Sequence, residues 1–128
     1  MLQKFRFNKR FMTRNEEKRH YANKYANNND WNMGSAIYQS EKLEIARMAK
    51  EQKLKPFTKP VRIRRFFKYR RTNQDGDNLE SMTKVIQDGL ISSGILPGDS
   101  LKWIVGYDQT EFTKSEDEGG EFHIYEVE

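Results

Sequence analysis

Val61-Arg62-Ile63-Arg64-Arg65-Phe66-Phe67-Lys68-Tyr69, followed six residues later by Asp75-Gly76-Asp77-Asn78-Leu79-Glu80-Ser81-Met82-Thr83-Lys84-Val85-Ile86-Gln87-Asp88, is the stretch from which the fold is read. In the first run the odd positions are apolar except Arg65, the pattern of a half-buried strand. Its outer face then carries Arg62, Arg64 and Lys68, with Arg70 just beyond. The second run changes period. At 100° per residue, Leu79, Met82, Ile86 and Leu90 share one apolar stripe, which predicts a helix over 78–93 with that stripe on the core. Asp77, Ser81, Lys84 and Asp88 share the opposite stripe. Asp77 is a good N-cap, and Glu80 three residues on makes an Asp variant of the capping box. A strand feeding a helix through an acidic turn is the unit around which the other elements are arranged.

Upstream, Leu2 to Phe7 alternates, with Phe5 and Phe7 on one face and Lys4 and Arg6 on the other, and reads as a first strand. Residues 8–34 read as a long loop rich in Asn, basic and aromatic residues, among them Arg14, Arg19, His20, Tyr21, Tyr25 and Trp31. Asn27-Asn28-Asn29-Asp30 has the chemistry of a turn. Basic residues mixed with aromatics suit phosphate contacts and stacking on unpaired bases. From Ser35 to Leu54 the composition is helical, with Tyr38, Ile45, Met48 and Ala49 forming a packing stripe, and Pro56 and Pro60 punctuate the link to the central strand.

Downstream, Gly94 is a natural helix terminator and Leu96-Pro97-Gly98-Asp99 a turn. Leu101, Trp103, Val105 and Tyr107 alternate with Lys102 and Gly106, the pattern of another strand. Phe112 to Gly120 reads as an acidic loop and Phe122 to Val127 as a closing strand. Residues 1–128 therefore read as one α+β domain, a small mixed β-sheet of about four strands packed against two main helices.

The chain has no cysteine, which excludes disulfides and thiolate metal sites. No apolar run approaches the roughly 20 residues that cross a bilayer as a helix. Met1-Leu2-Gln3-Lys4-Phe5 lacks the apolar region of a signal peptide, so the expected setting is soluble and intracellular. The net charge of +4 conceals a division. Residues 1–71 hold 20 Lys and Arg against 6 Asp and Glu, giving +14, whereas residues 72–128 hold 3 against 13, giving −10. A basic half joined to an acidic half implies a polyanion-binding surface beside an acidic site or tail. Eight acids against one lysine in residues 108–128 imply that a nucleic acid would run over another face.

Asp75 and Asp77 supply the chemistry. On extended backbone, residues i and i+2 point the same way, with Cα atoms about 6.6 Å apart, so two carboxylates converge on one cation. An all-oxygen pair suits a hard divalent ion such as Mg²⁺. Lys84 lies about 10 Å along a helix from Asp77, close enough to lean towards phosphate oxygens near the ion. Asp88, about 16 Å away, is too far to share it and is expected to pair with Lys84 at i,i+4. Lys59 to Arg71 contains seven basic residues and no acid. Arg62, Arg64, Lys68, Arg70 and Arg71 thus form a candidate DNA-binding row, salt-dependent through counterion release. Arg70 and Arg71 would also offset repulsion between the two carboxylates when no metal is bound.

Asp75-x-Asp77-Asn78-Leu79, then Lys84-x-x-x-Asp88-Gly89-Leu90, then Gly94-Ile95-Leu96-Pro97-Gly98-Asp99 resembles the RusA family of Holliday-junction resolvases. The resemblance covers roughly residues 60–105, with a weaker likeness around Asn23-Lys24-Tyr25. It implies a RusA-like fold and a cytoplasmic, bacterial or phage-encoded homodimer. Such a protein cuts four-way DNA junctions with Mg²⁺, three aspartates and a lysine. The matching positions are Asp75, Asp77 and Asp99 as metal ligands and Lys84 as the catalytic cation. The interval from Asp77 to Lys84 is three residues longer than in the best-known member and resembles a phage-type branch. An acidic pair often found at the end of the motif is here Gly98-Asp99.

Asp99 poses a geometric problem. A helix over 78–93 is about 24 Å long, and the five steps from Gly94 to Asp99 span at most about 17 Å. Either the helix ends early, near Gly89, or Asp99 completes a site across a dimer interface. Other chemistries fit poorly. An EF-hand beginning at Asn73 would need Gly at position 78 and Glu at 84, where this chain has Asn78 and Lys84. His20 and His123 have no second ligand at metal spacing, and no phosphate-binding loop or nucleophile elbow is present. Two functions remain: an Mg²⁺-dependent structure-selective endonuclease, or a non-catalytic DNA-binding or assembly protein whose carboxylates only cap the helix and pair with Arg70 and Arg71.

Overall fold

The first strand, β1 (Leu2–Phe7), buries Phe5 and Phe7 and turns Lys4 and Arg6 to the other face, as its alternation requires. The computed structural model describes residues 1–11, 28–71 and 76–127, without the side chains of 28–35, 77 and 78. Helix α1 (Asn28–Glu51) begins seven residues before the expected start and takes in Asn28, Asn29 and Asp30, which turn chemistry had assigned to a loop. Asn and Asp disfavour helix interiors but are at home in a first turn, where short polar side chains and negative charge suit the free backbone N–H groups. Its inner face buries Ile45, Met48 and Ala49, with Tyr38 packed at the margin.

β2 (Val61–Tyr69) occupies the predicted residues. Val61, Ile63 and Phe67 are buried on the helix-facing side, and Arg62, Arg64 and Lys68 lie on the opposite side. The expected single helix is broken in two: α2 (Gly76–Glu80) and α3 (Thr83–Ser92). Leu79 and Met82 both enter the core, and the Met82 N–H donates to the Leu79 carbonyl at 3.1 Å, an i→i−3 bond that tightens the chain between the two helices. Asn78, Ser81 and Thr83 are weak helix formers, so the break meets little local resistance. Asp77 accordingly lies inside α2, not at its cap.

Gly94 ends α3 as predicted. It takes φ +83°, its N–H donates to the Ile91 carbonyl at 3.0 Å, and the Ile95 N–H donates to the Leu90 carbonyl at 2.9 Å. This is the paired-bond termination that a left-handed residue permits, sealed by burial of Ile95 and Leu90.

The second half of the chain departs further from expectation. β3 (Ile104–Tyr107) is shorter than predicted and its phase differs: Ile104 is buried, Val105 is exposed and Leu101 lies in a turn. Val61 pairs with Ile104 but Arg62 with Gly106, so a bulge at Val105 resets the alternation. The segment read as an acidic loop contains β4 (Glu111–Lys114), and the closing strand β5 (Gly119–Glu126) starts three residues early. β3 and β4 both run parallel to β2, β3 along its first half and β4 along its second. β5 lies antiparallel between β1 and β2, giving the order β1-β5-β2-β3 with β4 continuing the β3 edge.

The result is a five-stranded mixed sheet with both main helices on one face. Phe5, Phe7, Phe67 and Phe122 from three strands join Ile45 and Met48 of α1 and Val85, Ile86 and Leu90 of α3 in one core. The rings of Phe7 and Phe67 meet Phe122 edge to face, with centroids at 5.7 and 5.8 Å. Such pairs contribute about 0.5–1.5 kcal/mol each beyond the area they bury. Among the described residues no helix is long and apolar enough to cross a membrane.

Candidate functional site

Among the described residues the outer face of the sheet carries no helix, and cross-strand pairing decides what stands beside the predicted basic row. Arg62 is registered with Tyr125 of β5, Arg64 with His123, and Phe66 with Glu121 on one side and Glu111 on the other. Acids from the second half of the chain therefore share this face with the cations. Expecting nucleic acid to meet a surface free of the acidic segment overlooked the position of β5 and β4 on the two flanks of β2. Arg62 Nε donates to Asp108 Oδ1 at 2.9 Å and Arg64 Nη2 to Glu111 Oε1 at 2.8 Å. Lys68, Arg70 and Arg71 are exposed and carry no ion pair among the described residues.

Lys68 and Arg70 line one side of an open groove of about 1370 Å³, whose other walls bring in Lys4, Arg6, Lys9 and Arg47. Arg6 is paired with Glu121 at 2.8 Å, Lys9 with Glu44 at 2.9 Å and Arg47 with Glu51 at 2.6 Å. Lys4, Lys68 and Arg70 carry no ion pair among the described residues, and Glu116, Asp117 and Glu118 line the same groove, so its remaining cations face acids as well.

Titration follows these contacts. The Tyr125 hydroxyl and then Arg62 hold the Asp108 carboxyl below its ordinary range, and Asp108 in turn pushes the Tyr125 phenol and the Arg62 guanidinium up. Glu121 is lowered by its hydrogen bond with the His123 ring and further by Arg6.

Asp75 lies outside the described residues, as does Asn23-Lys24-Tyr25; of Asp77 the backbone is described, in α2, and its carboxylate is not. Lys84 stands exposed on the first turn of α3 and pairs with Asp88 at 3.8 Å, the i,i+4 partnership expected. Asp88 also accepts the Tyr38 hydroxyl of α1. Asp99 borders a shallow hollow of about 230 Å³ with Asp88, Ser92 and Lys42, at the carboxyl end of α3. α3 runs ten residues to Ser92, about 15 Å, and Asp99, which follows it in the chain, shares its hollow with Asp88, the partner of Lys84. The early helix end near Gly89 is thereby removed as a way of uniting Asp99 with Asp77 in one chain. Among the described residues no three His, Asp or Glu side chains gather as a metal site. The donor set proposed for Mg²⁺, carboxylate oxygens alone, fits a hard cation by its chemistry.

One residue of this region escaped the functional reading. Arg65 points to the helix-facing side, 14% exposed, beneath the start of α3. Its signal in the sequence was its charge, the one interruption of the apolar positions of β2.

The fold defines a class, a small α+β domain with a mixed five-stranded sheet and two main helices. Neither a protein-family model nor a curated protein matches the chain.

Proposed function

We propose that the protein is a Mg²⁺-dependent endodeoxyribonuclease of the RusA type, acting as a homodimer on four-way or otherwise branched DNA. The observation that carries this reading is the connection β2–α2–α3–β3. It joins parallel strands, and Asp75 and Asp77 follow β2 in the chain, beyond its carboxyl end, the side on which open α/β sheets bind their ligands. Lys68, Arg70 and Arg71 precede these aspartates in the chain with their charges uncommitted among the described residues, and Lys84 follows them on the first turn of α3.

In this reading Asp75 and Asp77 hold the ion from one chain. Asp99, at the far end of α3, reaches the equivalent site of a second copy. Mg²⁺ when bound supplies an activated water and charge neutralisation at the scissile phosphate. The Lys84 ammonium swings from Asp88 to the phosphate oxygens, where negative charge grows as the P–O bond breaks. Lys68, Arg70 and Arg71 grip flanking phosphates without reading sequence.

The test incubates the protein with a four-way junction, a fork and linear duplex, with and without Mg²⁺. Cleavage confined to branched substrates and dependent on the metal is expected. Asp77→Asn should abolish cutting while binding is kept or tightened, because only negative charge is removed. Wild-type cutting by this variant, or protein that binds junctions and never cuts them with Mg²⁺ present, overturns the reading.

A further inference from the structure

Arg65 is a mostly buried cation whose neighbours leave part of its donor set unused among the described residues. Its guanidinium lies over the Tyr107 ring at 4.3 Å. Nη1 donates to Thr83 Oγ1 at 3.2 Å and Nη2 to Thr110 Oγ1 at 3.1 Å. The nearest carboxylate among the described side chains, Glu80, stands at 3.9 Å and is itself 32% exposed. That is ion-pair range but beyond a hydrogen bond. A guanidinium has five N–H donors, and two are engaged here. The Nε–H is buried and meets no acceptor among the described residues.

The two threonines add donors of their own. Each hydroxyl accepts from the arginine, so its own proton is directed elsewhere. Among the described residues no group takes either proton. A cation only 14% exposed, with unused donors and flanked by two hydroxyl donors, is the complement of an oxyanion. Leaving such a charge incompletely paired costs stability that a structural clamp alone would avoid. Thr83 directly precedes Lys84, so the cluster adjoins the proposed catalytic cation.

We propose that Arg65, Thr83 and Thr110 form an anion subsite that receives a phosphodiester oxygen of the DNA strand, with Glu80 as the group displaced. Naming DNA as the source of the anion rests on the nuclease reading; anion binding itself does not. When phosphate enters, the Arg65 Nε–H and both hydroxyls donate to its oxygens and Glu80 swings to solvent.

The test follows the ¹⁵Nε–H resonance of Arg65, assigned by its loss in Arg65→Gln, in metal-free buffer. Inorganic phosphate is titrated first, then an uncut four-way junction. A saturable shift with both is expected. Glu80→Gln should tighten phosphate binding several-fold by removing the competing carboxylate. Thr110→Val should weaken it several-fold with the melting temperature unchanged. For junction binding, Arg65→Gln should lower the slope of log K against log salt by about 0.9, one phosphate contact. A resonance unmoved by either titrant overturns the subsite, as does Glu80→Gln binding phosphate no better than wild type. A shift with inorganic phosphate alone overturns its assignment to DNA. Protein that shows every expected shift yet never cuts DNA keeps the subsite and loses only the nuclease reading.

Discussion

Asp108 joins two elements that no local pattern connects. It receives Arg62 of β2 and the Tyr125 hydroxyl of β5, so its carboxylate fastens the turn after β3 to both central strands. Because its pKa is depressed in the folded protein, the stability it contributes is fully present above the unfolded value, about 3.9. That contribution is lost as pH falls towards the folded value. Unfolding free energy measured from pH 6 down to pH 2 should therefore decline more steeply in the wild type than in Asp108→Asn, with Glu121 contributing a similar acid loss in both. Equal slopes would show that the contact does no thermodynamic work. At this scale the sequence was half legible. Strand period alone put Arg62 and Arg64 on the outer face. Their acidic partners are 46 and 47 residues away and were invisible until β4 and β5 were paired with β2. Arg65 violated the period, and that violation was the readable sign of a residue with work other than packing.

The contact between α1 and α3 is set by a glycine. A Cβ at Gly89 would lie 2.6 Å from Ile45 Cγ2, 2.7 Å from Ile45 Cβ and 3.2 Å from the Lys42 carbonyl oxygen, so the helices touch at this point. Gly89→Ala gains about 0.5–1 kcal/mol of helix propensity. It also incurs overpacking, typically about 1–3 kcal/mol, and Ile45, wholly buried, has no free space into which to retreat. Chemical denaturation should show net destabilisation of about 1–2 kcal/mol, the overpacking cost less the propensity gain. In an Ile45→Ala background, which removes the Cγ2 contact and keeps the Cβ contact, the same change should cost less than in the wild type, a coupling that a long-range or denatured-state effect would not produce. Element existence was legible here: α1, α3, β1, β2 and the Gly94 terminus come from period and cap chemistry. The break at Ser81-Met82 was not, because the apolar stripe from Leu79 to Leu90 reads the same whether the helix is continuous or interrupted. Nor was the Val105 bulge, which hides in a strand whose odd residues alternate convincingly.

At the scale of the whole molecule the decisive question is which chain's site is completed by Asp99, placed after the carboxyl end of α3. If Asp99 completes the site of a second copy, a two-fold dimer contains two composite sites, each built from the α2 end of one chain and Asp99 of the other. Complementation then has a definite outcome. In a heterodimer of Asp77→Asn with Asp99→Asn, one site carries both substitutions and the other carries neither. Differently tagged chains, co-expressed and purified through both tags, should therefore nick one strand of a four-way junction in the presence of Mg²⁺ and fail to make the paired cut. Each variant homodimer should be inert. Were Asp99 to serve its own chain, both sites of the heterodimer would hold one substitution and no strand would be cut. The motif resemblance named Asp99 as a ligand without saying whose site it serves. That depends on where α3 ends and on a dimer contact, neither of which the spacing of residues along one chain encodes.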